Sequence, residues 1–158
     1  MDTSRVHTKL PHVVYHSSAT GGLQVIEPRV GTHRKPWVYA TTDMAISAIF
    51  LAHEGRDLSC ASGLSNGEVY LYERWPGAFR HRYWLQRGSI YELPGNQFEA
   101  SQTSFSGEVI SERPAAVVSE TRVDNAAQFL SHLADDGRMR LFMHADRPDW
   151  IPEDDSDL

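Results

Sequence analysis

The sequence predicts an α+β domain in which short strands dominate, with one helix early in the chain and one late. Three observations carry this prediction. Apolar and aromatic residues fall into short runs bounded by Pro, Gly and Ser, the pattern of strands between turns. Apolar residues recur at helical spacing after Thr42 and again after Asp124. The two helical stretches flank a strand-rich middle instead of alternating with strands, which argues against a parallel βαβ sheet.

The elements follow in order. Val13-Val14-Tyr15 is a strand that ends at Ser17 and Ser18, and Thr20-Gly21-Gly22 is a loop signal. Leu23 to Ile26 is a brief second run stopped by Pro28, and Gly31 to Pro36 is polar and basic, a surface loop. Trp37-Val38-Tyr39 is the next strand. Thr42 or Asp43 can then cap a helix whose apolar positions are Ala45, Ile46, Ala48, Ile49, Phe50 and Ala52, with Gly55 as its stop. Arg56 to Asn66 is rich in Ser and Gly and reads as a loop. Glu68 to Tyr72 and Arg82 to Leu85 read as strands, with Pro76-Gly77 as a turn between them. Gly88 to Leu93 is a further strand, ended by Pro94-Gly95. Asn96 to Gly107 is polar, and Glu108-Val109-Ile110 and Ala115 to Ser119 are short strands split by Pro114. Ala126, Phe129, Leu130, Leu133 and Ala134 then form the clearest amphipathic stripe, ending at Gly137, and Met139 to Met143 supplies a last strand. One domain is expected over residues 1–151, followed by a frayed acidic tail, 152–158.

A chain of 158 residues can bury a core without covalent staples. Its net charge of −6 argues against a broad basic face for nucleic acid, although Arg74, Arg80, His81, Arg82 and Arg87 gather in the middle. Interleaved with Trp75, Phe79, Tyr83 and Trp84, that stretch could serve nucleic acid or a protein partner. A sheet with one buried and one wet face gives the same mixture, and is the preferred reading. The single cysteine, Cys60, leaves no intramolecular disulfide and no zinc cage. The first ten residues hold no leader-like apolar run, and no stretch approaches the ~18 apolar residues that span a bilayer. A soluble cytoplasmic protein without a membrane association is therefore expected. His53-Glu54 lacks a second histidine at metal-binding spacing, so no metal is expected.

The chemistry resides in three short segments: Tyr15-His16-Ser17-Ser18, then Val38-Tyr39-Ala40-Thr41 opening a helix, then Gly107-Glu108-Val109-Ile110. In this order they resemble the ADP-ribosyltransferase superfamily, in particular its His–Tyr–Glu branch of diphtheria-type toxins and poly(ADP-ribose) polymerases. The resemblance runs from Val13 to Ser119 and rests on the order of motifs that are each short. It implies a split, mostly antiparallel β core with flanking helices, and NAD as co-substrate. It implies that ADP-ribose is transferred to an acceptor and nicotinamide released. Glu108 would stabilise the charge developing on the ribose, and Tyr39 would stack on the nicotinamide. His16 would donate to a ribose hydroxyl on the adenosine side, and Ser17, where the family carries Gly, would offer backbone groups to the amide. Arg29 and Arg34 are the candidates to meet the two phosphate charges.

Alternatives stay open. Gln97-Phe98-Glu99 matches the Gln-x-Glu form of the Arg–Ser–Glu branch, which makes Glu99 a second candidate carboxylate, and Glu112 is a third. The chain could be a non-catalytic NAD- or ADP-ribose-binding module. It could be a relative of the NAD-dependent RNA 2′-phosphotransferases, or a plain interaction domain. The acceptor could be a protein side chain, a nucleobase, a terminal phosphate, a small molecule or water, and the setting toxin, antiphage defence or metabolism.

Overall fold

The computed structural model describes residues 12–30, 35–52, 59–100 and 107–152. The run after His12 becomes β1 (Val13–Ser18), and two short runs beyond Gly22 become β2 (Val25–Ile26) and β3 (Arg29–Val30). β4 (Pro36–Thr41) leads directly into α1 (Met44–Ile49), whose first turn is closed by the Asp43 carboxylate accepting from the Ala45 amide at 2.8 Å. β5 (Cys60–Ser65) and β6 (Glu68–Glu73) form a hairpin, and α2 (Ala78–Tyr83) follows. The chain continues through β7 (Gly88–Pro94), β8 (Glu99–Ala100), β9 (Glu108–Ser111), β10 (Ala115–Ala116) and β11 (Ser119–Val123). It ends with α3 (Ala126–Asp135) and β12 (Arg140–Phe142).

The fold is α+β with mostly antiparallel pairing. The main sheet has the order β11-β7-β1-β4-β9-β8, with β3 also paired to β4. A three-stranded sheet has the order β12-β6-β5, in which β12 runs parallel to β6, and β10 and β2 form a ribbon. Within the main sheet, β1 pairs along its whole length with β7 but meets β4 in register only at Tyr15 and Thr41. β1 and β4 therefore diverge beyond that pair, and the sheet is forked between them.

Period-two alternation sorts the side chains of the main sheet onto two cores. On one face, Ile90 and Val123 pack with Ile46 and Ile49 of α1, Leu130 and Leu133 of α3, and Leu71 of β6. On the other, Val14, Val38, Tyr91, Leu93 and Val109 are covered by Ile26 and Ala115 of the ribbon. α3 buries Ala126, Ala127, Leu130 and Leu133, the stripe its spacing predicts.

Two expectations are corrected. Arg82 and Tyr83 belong to α2, not to a strand. Phe79 and Tyr83, four residues apart, both enter the first core, whereas Arg80, His81 and Trp84 stay exposed. The segment expected as a loop up to Asn66 contains β5. Asn66 at φ 52° and Gly67 at φ 80° form the two-residue turn that matches strand twist, so they join β5 to β6 despite the Ser- and Gly-rich composition of β5. Gly63 lies opposite Tyr70, and a Cβ there would come within 2.9 Å of the tyrosine oxygen, so the ring covers the place a side chain would fill.

Candidate functional site

The fork between β1 and β4 is where the three singled-out segments meet. β1, β4 and β9 are adjacent in the sheet, and they carry His16, Tyr39 and Glu108. Thr41 pairs with Glu108 and Tyr39 with Ile110, so Tyr39, Thr41 and Glu108 share the sheet face that carries α1. His16, one residue beyond the Tyr15–Thr41 pair, sits at the crotch of the fork. Its Nδ1 lies 2.6 Å from the Tyr39 carbonyl oxygen. A carbonyl only accepts, so Nδ1 carries the proton and donates. The imidazole thus occupies the place that a ladder hydrogen bond would take if the strands stayed paired.

Burial holds the His16 pKa below its usual value, with the nearby Arg29 guanidinium acting in the same direction and the bond to Tyr39 opposing both. At neutral pH the ring is therefore uncharged, and Nε2 presents a lone pair. In this state Nε2 is available to accept a hydrogen bond, whereas the resemblance implies that His16 donates one.

His16, Ser17, Tyr39 and Glu108 line one cleft of about 250 Å³, together with Thr41, Ser47 of α1 and Phe50, which caps that helix. A second cavity of about 330 Å³ shares His16, Ser17 and Tyr39 with the first and continues past Leu23, Glu27, Arg29 and Trp37. The shared residues make the two cavities the adjoining lobes of one trough at the fork. The first lobe offers an aromatic ring, a carboxylate and hydroxyls, and the second offers a guanidinium, an indole and aliphatic surface.

Local structure fixes these walls. Gly107 has φ 93°, a region costly for other residues, and a Cβ there would stand 3.1 Å from Cδ1 of Ile46. Its carbonyl accepts from the Thr42 amide at 3.0 Å, so the start of β9 is tied to the start of α1 and Glu108 is aimed at the helix side. At the second lobe, the bend after β1 is held by the buried Tyr91 hydroxyl, which donates to the Thr20 carbonyl and accepts from the Leu23 amide. The Glu120 carboxylate accepts from Ser89 and from the Gly22 amide, and these bonds hold its pKa below the usual value.

Of the remaining candidates, Arg29 lines the second lobe and Ser17 lines both, whereas Arg34 lies outside the described residues. Glu99 pairs with Ile110 on the far side of β9 and is exposed, as is Glu112; neither is among the residues lining the trough. The spacing places Phe50 in the apolar stripe of the early helix. It is instead 56% exposed and forms a wall of the first lobe, because α1 ends at Ile49 and Phe50 caps it. The signal was an aromatic residue at the last helical position, beyond the stripe that Ala45, Ala48 and Ile49 complete. Ser47, buried on α1, was also missed.

Among the described residues, no group of three or more His, Cys, Asp or Glu could hold a metal ion, and no helix is long and apolar enough to cross a membrane. No protein-family model matches the chain, and neither a curated protein nor a solved structure matches it significantly.

Proposed function

We propose that this chain is an NAD-dependent ADP-ribosyltransferase of the His–Tyr–Glu type, with the forked main sheet as the split β core of that fold. The observation that carries the reading is the convergence of His16, Tyr39 and Glu108 from three adjacent strands onto one cleft.

The trough fits a dinucleotide in kind. NAD would bring a cationic nicotinamide whose loss leaves oxocarbenium-like charge on the ribose. Glu108, at the head of β9, is set to accept from a ribose hydroxyl and to stabilise positive charge more as it develops than before. Tyr39 and Phe50 supply two aromatic walls against which a planar ring can stack. His16 accepts from a hydroxyl through Nε2 at the junction of the lobes, and its bond to the Tyr39 carbonyl keeps that acceptor fixed. Arg29 meets phosphate charge in the second lobe.

The test is nicotinamide release from NAD, followed for the wild type and for Glu108→Gln. The substitution keeps size and removes charge, so the rate is expected to fall about a hundredfold or more while NAD binding persists. Equal release by both proteins would sink the role of Glu108. Binding without release by the wild type would point to a non-catalytic NAD-binding module.

A further inference from the structure

The segment Arg74 to Tyr91 contains no acidic residue, although the chain as a whole carries a net charge of −6. Its aromatic residues divide cleanly. Phe79 and Tyr83 are core residues, whereas Trp75 is 49% and Trp84 36% exposed. A wet sheet face cannot account for the exposed pair, because the segment is α2 and its flanking turns. Arg80 stacks on the Trp84 ring, with the guanidinium carbon 4.0 Å from the ring centre. His81 and Arg87 are exposed beside them.

The turn after α2 is held in place. Leu85 has φ 59°, uncommon for a residue with a Cβ, and is 59% exposed. Its amide donates to Asn125 Oδ1 at 3.0 Å, and the Ala126 amide donates to the Gln86 carbonyl at 2.9 Å. Backbone strain is thus retained to hold Trp84 and Leu85 outward.

We propose that α2 and its flanking turns bind single-stranded nucleic acid, with bases stacking on Trp75 and Trp84 and phosphates meeting Arg80 and Arg87. Charge complementarity selects the partner: cationic side chains with aromatic faces between them, in an otherwise acidic protein, match a flexible polyanion that has a π-face at every unit. A duplex hides its bases and offers the tryptophans nothing to stack on. Arg80 and Trp84 also line the groove between α2 and α3, which Asp135 and His132 share. On its core side α2 is tied to the end of α1, where the Tyr83 hydroxyl donates to the Ile49 carbonyl. The inference does not depend on the proposed enzymatic activity.

The experiment is fluorescence anisotropy of the full chain with a labelled oligothymidylate of about a dozen nucleotides, at a series of salt concentrations. Binding is expected to weaken with salt, with a log–log slope of about −1.4 for two phosphates neutralised. Trp84→Ala is expected to weaken binding about tenfold. Arg87→Glu, on an exposed side chain, is expected to flatten the salt slope. No binding at low salt, binding of duplex as tight as single strand, or tryptophan variants that bind like the wild type would overturn the proposal. Polyglutamate of equal charge that displaces the probe as well as unlabelled oligothymidylate does would also overturn it, because stacking would then play no part.

Discussion

Asn125 connects two elements through one atom, and its removal gives a measurable cost. Its Oδ1 accepts from the Ala127 amide at 3.1 Å, capping α3, and from the Leu85 amide at 3.0 Å, fixing the turn after α2. The residue is 8% exposed, so water replaces these bonds poorly. Loss of a helix N-cap costs about 1 kcal/mol. Loss of the second bond costs about another 1 kcal/mol, because it leaves a donor unsatisfied in a backbone held at positive φ. Asn125→Ala is therefore expected to lower stability by about 2 kcal/mol, equivalent to a fall in Tm of about 4–8 °C for a domain of this size. Asn125→Asp keeps the acceptor and adds charge at a helix N-terminus, so its cost should stay within about 0.5 kcal/mol. Urea titration followed by far-UV circular dichroism measures both, provided the m-value is unchanged. An Ala variant within about 0.5 kcal/mol of the wild type, or an Asp variant as unstable as Ala, would refute the reasoning.

The other predictions concern the fork and the strained turns. His16 is held neutral, so the unfolded chain takes up its proton first as pH falls. Stability is full above pH 6.5 and declines below it, by up to about 1.4 kcal/mol per pH unit, until the lowered folded value is reached. His16→Gln should remove that component, and urea midpoints that run parallel for the two proteins below pH 6.5 would contradict it. Gly107→Ala forces a Cβ against Ile46 at positive φ; about 1–3 kcal/mol of stability and most nicotinamide release should be lost, and unchanged kinetics would show that Gly107 does not aim Glu108. Leu85→Gly relieves the left-handed strain and should raise stability by about 0.5–1 kcal/mol, as read from the urea midpoint; a loss would mean that the Leu85 side chain outweighs the backbone.

The elements read correctly from the sequence are those in which local pattern and tertiary demand agree. α3 combines a cap, a complete apolar stripe and a terminal glycine, and it forms as its spacing predicts. β1, β4, β7 and β9 are runs of branched and aromatic residues that no helix period fits. β5 was missed because its composition, Cys-Ala-Ser-Gly-Leu-Ser, has low strand propensity, and its strand state comes from the Asn66-Gly67 turn and the Tyr70 ring. α2 differs from the strand expected over Arg82 to Leu85 because that run is rich in aromatic residues, whereas the buried pair is Phe79 and Tyr83, one helical turn apart. At the site, the order of His16, Tyr39 and Glu108 was legible, and their convergence on one cleft is geometry that only strand adjacency supplies. The polarity of His16 depends on a backbone carbonyl 23 positions along the chain, and the exposure of Phe50 on where α1 stops. Neither is written in local pattern.

The parallel pairing of β12 with β6 has a consequence for how the chain is made. Leu71 lies opposite Leu141, and everything from α2 to α3 is synthesised between them. A lone hairpin such as β5–β6 is marginal in water. Until Arg140 to Phe142 has emerged, β6 presents an open strand edge beside Leu71 and Tyr72, both fully buried in the finished fold. Long-range parallel pairing is slow to form, and an apolar edge of this kind recruits other chains. Nascent molecules stalled before β12 should thus be the species most prone to aggregate.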